Sequence, residues 1–526
     1  MKSTNIILIL ADDMGYSDIG CFGSEIPTPN IDRIATEGVT FTQGYNCARC
    51  CPSRASLLTG LYPHQAGVGH MVTDLGYEGY EGHLNQRCIT IAEALQQGGY
   101  RTYLSGKWHV GGNYNVRDPK TWTPHDPRHP TPTGRGFDEF FGTLEGCGNY
   151  YNPHTLMRNE TFLKLDVDDD FYYTDAISDE AVRMIGQAAQ GEQPFFLYAA
   201  YTAPHWPLHA PEEDIARFEG RYTTGWDELR QERYERLVEQ KLIDDKWKLS
   251  PRDADSFDWK NSRQQEWEAL RMAVYAAQIH RMDQGIGRMF DALQQYGIDD
   301  NTMVLFMSDN GGCAEFLAED GFVQNIQYPM RNGQFARAGN HPELRPGPEE
   351  TYMSYDLPWA NASNTPFRLF KHWVHEGGIS TPILVRWPGG GTSPKQVNAP
   401  VHFIDIMPTC LEAAQADYPE EFNDHAIQPL AGESLLPYLR GEKTERDAPI
   451  FWEHEGNCAV RLGDWKLVKK FPQDWELYNF EQDRTELNDL VKKNPSLAKQ
   501  MQQQYQEWAQ QLNIVPWERL KDIAPE

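Results

Sequence analysis

Four short runs rich in β-branched and aromatic residues recur along the chain, at Asn5 to Leu10, Tyr100 to Leu104, Phe195 to Tyr198 and Met303 to Met307. Runs of this length with little polar interruption are what strands covered on both faces require. Between them, Ile89 to Gln97 and Ala273 to Leu293 carry helical spacing. Trp226 to about Lys248 is a charge-rich helical stretch, read as a solvated face or as a cap beside a site mouth. The alternation predicts an α/β fold, with a large, mostly parallel sheet flanked by helices. The segment from about Phe322 to Ala362 is rich in Pro, Gly, Asn and Tyr and reads as loop, and a loop this long in a compact domain is more often functional than idle. Near Pro429 the pattern changes. Alternating runs around Phe451, Val460 and Leu467 predict a small antiparallel sheet, and Pro495 to Leu512 a terminal helix. The expected organisation is a large α/β domain over residues 1–430 and a small C-terminal α+β domain over 431–526.

The four apolar runs all lead into polar residues. The first stops at Asp12-Asp13, the second just before Lys107-Trp108-His109, and the fourth at Asp309-Asn310; the third leads to Ala203-Pro204-His205-Trp206-Pro207. Ligands of open α/β sheets bind at the carboxyl ends of the strands, so carboxylates, a lysine and histidines are expected along one edge. Asp12, Asp13, Asp309 and Asn310 offer only oxygen, which suits a hard cation, Ca²⁺ or Mg²⁺. Alone, either pair would be read as a turn cap after a strand. Asp166-x-Asp168-x-Asp170 resembles the start of a calcium loop, but Phe171 stands where that loop needs Gly, and the expectation is a solvated acidic turn.

The most specific stretch is Cys50-Cys51-Pro52-Ser53-Arg54-Ala55-Ser56-Leu57-Leu58-Thr59-Gly60. A thiol just before Pro52 and a helix-competent run belongs at a helix N-terminus, where Pro loses no needed N–H and the positive helix end attracts anions. Alone, Cys47-x-x-Cys50 would be a redox or zinc half-site and Cys50-Cys51 a buried core pair. Cys-x-Pro-Ser-Arg followed by Leu-Thr-Gly resembles the signature of the type I sulfatases of the alkaline phosphatase superfamily, in which the Cys is oxidised to formylglycine. The offset to Pro52 makes Cys50 the modified residue and Cys51 the variable one. Further stretches resemble the bacterial arylsulfatases of the Pseudomonas type: Gly79-Tyr80-Glu81-Gly82-His83-Leu84-Asn85, Gly220-Arg221-Tyr222, Leu229-Arg230-Gln231-Glu232-Arg233, Gly463-Asp464-Trp465-Lys466 and Glu476-Leu477-Tyr478. Coverage is nearly end to end, weakest over about 115 to 170 and 322 to 350.

The resemblance implies one Ca²⁺, with Mg²⁺ less expected, held by Asp12, Asp13, Asp309, Asn310 and a hydroxyl of the hydrated Cys50 aldehyde. It implies that Arg54 holds the hydrate and that Lys107 and Lys371 clamp the sulfate. His205 with Lys371 serves the leaving oxygen, His109 takes the proton of the second hydroxyl, and Asp309 is a base for the attacking one. Lys371 is placed by Arg368-Leu-Phe-Lys371 ahead of Glu376-Gly-Gly-Ile-Ser-Thr-Pro382. The implied activity is hydrolysis of sulfate monoesters, aryl sulfates or small sulfated sugars, to alcohol and inorganic sulfate. Two rivals stand beside it: a phosphonate or phosphate ester hydrolase of the same superfamily, and a calcium-stabilised glycan-binding protein without turnover.

Composition narrows the partners. Lys and Arg total 48 against 76 Asp and Glu in 526 residues, a formal charge of −28 that opposes nucleic acid and disfavours long polyanions. A small sulfate ester and a formylglycine-generating or equivalent Cys-modifying enzyme are the expected partners. Nine cysteines, odd in number and without framework spacing, argue against a disulfide-built fold. The run Ile6 to Ala11 is too short for a signal h-region and no stretch approaches membrane-spanning length, so the expected location is the cytoplasm, or the periplasm or exterior for a chain whose signal was removed.

Overall fold

The computed structural model describes residues 3–113, 126–165, 170–319, 321–323, 327–390 and 395–524. The acidic turn expected at Asp166 and Asp168 lies outside them. Seven strands make the centre of an 11-stranded sheet: β1 (Asn5–Ala11), β2 (Val39–Tyr45), β3 (Arg101–Lys107), β4 (Glu139–Thr143), β5 (Phe195–Ala200), β6 (Thr302–Ser308) and β7 (Ser380–Arg386). Their spatial order is β2-β7-β6-β1-β5-β3-β4. β1 runs parallel to both β5 and β6, as β3 does to β4 and β5, whereas β7 is antiparallel to both its neighbours. The central position of β1 explains its unbroken apolar run. Ile7 and Ile9 face one core and Ile6, Leu8 and Leu10 the other.

The apolar runs missed β2, β4 and β7 and cut β3 short. Pro382 interrupts the pattern of β7, and the structure absorbs it at a register shift between Thr381 and Ile383, where the ladder does not need the missing N–H. β3 extends beyond Leu104 through Ser105-Gly106-Lys107. A Cβ on Gly106 (φ +122°) would lie 1.9 Å from Ala200 O of β5, so only glycine allows that approach, and the extension carries Lys107 to the strand end.

Helices cover both faces. α1 (Cys50–Thr59) and α2 (Ile91–Gln97) pack on the Leu8 side, α3 (Tyr173–Ala189) and the 31-residue α5 (Gln265–Gln295) on the Ile7 side. A capping box starts α2: Thr90 Oγ1 accepts from Glu93 N at 3.1 Å and Glu93 Oε2 from Thr90 N at 2.7 Å. The charge-rich stretch forms α4 (Trp226–Glu239), whose solvated face carries Glu228, Gln231, Glu235 and Glu239 while the opposite face is buried. Arg233 is fully buried, with Nη1 donating to Asp18 Oδ1 at 2.6 Å and Nε to Glu25 Oε2 at 2.9 Å, while Trp226 joins the core. Carboxylates some two hundred positions away decide this, and no helical pattern reveals them. The 322–362 loop also needs correction at its end, where Asp356–Ser363 forms α6. Pro358 falls in its first turn, where proline is tolerated, and Trp359 is buried 5.3 Å from the ring of Trp226.

The C-terminal meander consists of β8 (Ile450–His454), β9 (Asn457–Leu462), β10 (Trp465–Lys469) and β11 (Trp475–Asn479), all antiparallel, followed by α7 (Pro495–Gln511). Val460, Leu467 and Leu477 meet Met501, Tyr505 and Trp508 of α7. Trp452, Ala459 and Val468 on the opposite face pack against Tyr45 and Ile379 beside the large sheet. The fold is thus the expected mostly parallel sheet flanked by helices, with a C-terminal antiparallel sheet. No helix among the described residues is long and apolar enough to cross a membrane.

Candidate active site

Every strand end picked out by its polar residues points to one place. β1 ends at Asp12 and Asp13 and β6 at Asp309 and Asn310, and these ends are tied by Asp309 N donating to Ala11 O at 3.1 Å. Lys107 closes β3 and His205 follows β5. α1 begins at Cys50 and holds Arg54 one turn in, while Lys371 lies in the loop ahead of β7. Asp12, Asp13, Arg54, Lys107, Asp309 and Asn310 are at most 1% exposed, and Cys50, His205, Lys371 and His109 between 2% and 7%.

Burial forces these charges into pairs. Arg54 Nε donates to Asp309 Oδ2 at 3.0 Å, its Nη2 lies 3.4 Å from Asp12 Oδ2, and Lys107 Nζ donates to Asp12 Oδ2. Lys371 Nζ lies 2.9 Å from Asp13 Oδ1 and 3.4 Å from His205 Nε2, and His205 Nε2 is 3.4 Å from Asp13 Oδ2. Asn310 Nδ2 donates to Asp13 Oδ1 at 2.7 Å, which fixes the amide orientation. For Asp12, burial raises the carboxyl but Lys107, His205 and Arg54 outweigh it and hold it below its usual range. Asp309 goes the other way: burial, then the repulsion of Asp12, raises it well above the carboxylate range despite Arg54.

These residues fit a hard cation. Asp12 Oδ1 and Asn310 Oδ1 are buried without a hydrogen-bond partner, and a carboxylate raised by a neighbouring carboxylate is what a dication relieves. Asp12, Asp13, Asp309 and Asn310 supply oxygen donors only, the set for Ca²⁺ or Mg²⁺.

The cluster floors a cavity of about 290 Å³ lined by Cys50, His109, His205 and Lys371, but not by Cys51. Cys51 is fully buried behind the cavity lining, with Sγ 3.2 Å from His109 Nε2. In the unmodified chain the Cys51 thiol's hydrogen bond and, against burial, the charge of Lys107 hold the Cys50 thiol well below its ordinary value. Burial pushes the His109 imidazole down to about 4, with Lys107 adding to the effect, so it is neutral and can accept a proton at neutral pH. Gly146 makes room for that ring, since a Cβ there would meet His109 Cε1 at 2.3 Å.

The cavity wall holds residues that the sequence reading passed over. Glu315 accepts from Trp206 Nε1 at 2.8 Å and lies 3.0 Å from Arg49 Nη1. Burial raises this carboxyl, yet Lys371 and Arg49 outweigh it and hold it far below its usual range. Arg49 adjoins Cys50 and Trp206 adjoins His205, so adjacency to quoted motifs was the available signal. Glu315 had none, being five residues past Asn310 in an irregular segment.

A family model described as Sulfatase matches residues 4–416, and one described as N-sulphoglucosamine sulphohydrolase, C-terminal, matches residues 367–512. An arylsulfatase of Klebsiella aerogenes is 35% identical over 461 residues, covering 85% of this chain and 94% of its own length. An uncharacterized sulfatase of Schizosaccharomyces pombe is 34% identical over 534 residues, covering 95% of this chain and 92% of its own. The crystal structure of Ps i-CgsB in complex with k-i-k-neocarrahexaose is similar with a TM-score of 0.67 at 29% identity, covering 96% of this chain and 93% of that one. The chain belongs to the sulfatase family and is a sulfuric ester hydrolase.

Proposed function

We propose that the chain hydrolyses small monosulfate esters, of aryl or sugar alcohols, with formylglycine derived from Cys50 as nucleophile and one Ca²⁺ held by Asp12, Asp13, Asp309 and Asn310. The observation that supports the reading is the asymmetry of the two adjacent cysteines: Cys50 lines the cavity beside three buried cations, and Cys51 does not. A hydrated aldehyde supplies two hydroxyls on one carbon, one to attack sulfur and one whose deprotonation re-forms the aldehyde and expels sulfate. Bound Ca²⁺ supplies Lewis-acid polarisation of a sulfate oxygen.

The remaining roles belong to this chain's own side chains. Arg54 orients the Cys50 side chain, Lys107 and Lys371 hold sulfate oxygens, and Asp309 accepts the proton of the attacking hydroxyl. His205, within 3.4 Å of Lys371 Nζ, protonates the leaving alcohol oxygen together with it, and neutral His109 accepts the proton of the second hydroxyl. The Cys-modifying enzyme acts on this chain as its partner. The net charge of −28 favours monosulfated substrates over polysulfated polymers.

Peptide mass mapping of active enzyme should place the oxygen-for-sulfur change on Cys50 and leave Cys51 a thiol. Cys50→Ser should fold yet lose turnover by on the order of 10⁴-fold or more, because a serine has no second hydroxyl. A free Cys50 thiol in fully active protein would sink the mechanism. Matched aryl sulfate, phosphate and phosphonate esters then test the chemistry, and a faster phosphonate would overturn the sulfate assignment.

A further inference from the structure

A second group of metal-binding side chains lies outside the oxygen-lined site, where three stretches of chain meet. His70 comes from the loop after α1, His372 from the position next to Lys371, and His454 and Glu455 from the end of β8 and the turn into β9. Glu455 is the hub. Its Oε1 is 2.8 Å from His70 Nε2 and 3.5 Å from His454 Nε2, and its Oε2 is 3.3 Å from His372 Nδ1. One ligand atom each from His372, His454 and Glu455 lie within 4.8 Å of one another. The rings of His70 and His454 stack 5.8 Å apart, and Trp517 covers His70 from the other side at 5.3 Å.

Two features separate this cluster from an ordinary hydrogen-bonded core. His454 is fully buried, and neither of its ring nitrogens has a hydrogen-bond partner; His70 Nδ1 has none either. A buried imidazole always carries at least one N–H, so one left unbonded needs an explanation. The spacing offers one. Zinc bonded to nitrogen and oxygen at about 2.0–2.1 Å in a tetrahedron separates its ligand atoms by about 3.3 Å; Glu455 Oε2 lies 3.3 Å from His372 Nδ1 and Oε1 3.5 Å from His454 Nε2, while His70 Nε2 holds Oε1 at 2.8 Å. The chemistry also differs from that of the Asp12 site, because imidazole nitrogen selects a borderline transition ion where carboxylates and an amide select Ca²⁺. Asn457, whose Nδ2 lies 3.4 Å from His372 Nε2 and donates to His454 O at 2.9 Å, orients the His372 ring with Nδ1 toward Glu455. An entry path exists, since the side chains of His372 and Glu455 are 28% and 20% exposed.

We propose that His372, His454 and Glu455 bind one Zn²⁺-class ion, with His70 holding the Glu455 carboxylate in place, and that the ion clamps the β8–β9 turn onto the loop that carries Lys371. The site is structural. It acts on the reaction by positioning Lys371.

The test titrates the full-length protein, stripped with a chelator and returned to excess Ca²⁺ so that the oxygen site is filled, with Zn²⁺, and with Co²⁺ as the spectroscopic probe. The expected result is one Zn²⁺ retained per chain through gel filtration, a higher Tm with Zn²⁺, and a visible tetrahedral Co²⁺ band without thiolate charge transfer. His454→Ala should abolish the Tm rise and weaken binding by at least about 100-fold, since even loss of a supporting partner costs 10- to 100-fold. His372→Ala and Glu455→Gln, in separate proteins, give the same readout should His454→Ala fail to fold. No retained Zn²⁺, a Co²⁺ spectrum with thiolate bands, or equal binding by wild type and variants would overturn the proposal.

Discussion

Two buried ionic clusters lie near the start of β7, one closed on itself around Arg484, which reaches Ser380, and one left open beside Ser308, whose N–H donates to Thr381 Oγ1. In the closed one, Lys466 Nζ lies 2.9 Å from Glu376 Oε1 and 2.8 Å from Glu486 Oε1, and Arg484 Nε lies 3.0 Å from Glu376 Oε2. The other donors of Arg484 reach Thr42 O and Ser380 Oγ, both at 2.8 Å, and Tyr45 Oη donates to Glu376 Oε2 at 3.0 Å. In the open one, three cations face Asp12, Asp13 and Asp309, yet Asp12 Oδ1 and Asn310 Oδ1 have no partner. The carboxyl ranges follow. Burial raises Glu376, but Lys466 and Arg484 outweigh it and hold it below its usual range, whereas burial and Asp12 leave Asp309 well above. Equal burial and equal charge types thus produce a joint where the donors are shared out fully, and a site where they are withheld for something else.

Mutation of one carboxylate in each cluster gives the strongest test of that contrast. Asp309→Ala is expected to lower kcat/KM by about 10³-fold while Tm falls less than in the joint, because Arg54 keeps its contact with Asp12 and the repulsion between Asp309 and Asp12 is relieved. Equal loss of activity and stability would erase the distinction. Glu376→Ala is expected to reverse the pattern: it strands Lys466 and Arg484 and costs about 3–5 kcal/mol, seen in denaturant melts, with far less effect on the turnover of the folded fraction.

Acid should separate the regions more gently. Burial pushes His109 in the site down to about 4 and, helped by Arg446, His402 against Trp452 of β8 down to about 3; His209 falls to about 4 by burial alone. All three bind protons more readily unfolded, where the imidazole value is 6.5. Stability is therefore complete above that value and declines as pH falls from 6.5 toward 4. Glu376, held below its usual range, adds loss only when carboxylates begin to protonate. Tm measured in steps should already fall between pH 6.5 and 5, and a flat profile there would show that these histidines are not neutral. The smallest expected effect lies at the cavity wall: Glu315→Gln loosens Arg49 and Trp206 and should raise KM about threefold, on the scale of a weakened polar contact, with kcat nearly constant. A change confined to kcat would place Glu315 in the chemistry instead.

Local chemistry was enough for the sequence to reveal four strands of the sheet and their polar ends. β1 could be read because a central strand must be apolar on both faces, and Asp12-Asp13 and Asp309-Asn310 stood out because polar residues there end such runs. The resemblance set Cys50 apart from Cys51 by its offset to Pro52, and the helix start expected before Pro52 is the start of α1. Where several hundred residues intervene between partners, only the tertiary structure decided. Arg233 of α4 became buried because Asp18 and Glu25 meet it, β7 survived Pro382 because the ladder shifts there, and Glu315 entered the cavity wall through Trp206 and Arg49. Periodicity reports what a segment can present on one face, and the satisfaction of a buried charge depends on atoms that sequence distance does not encode.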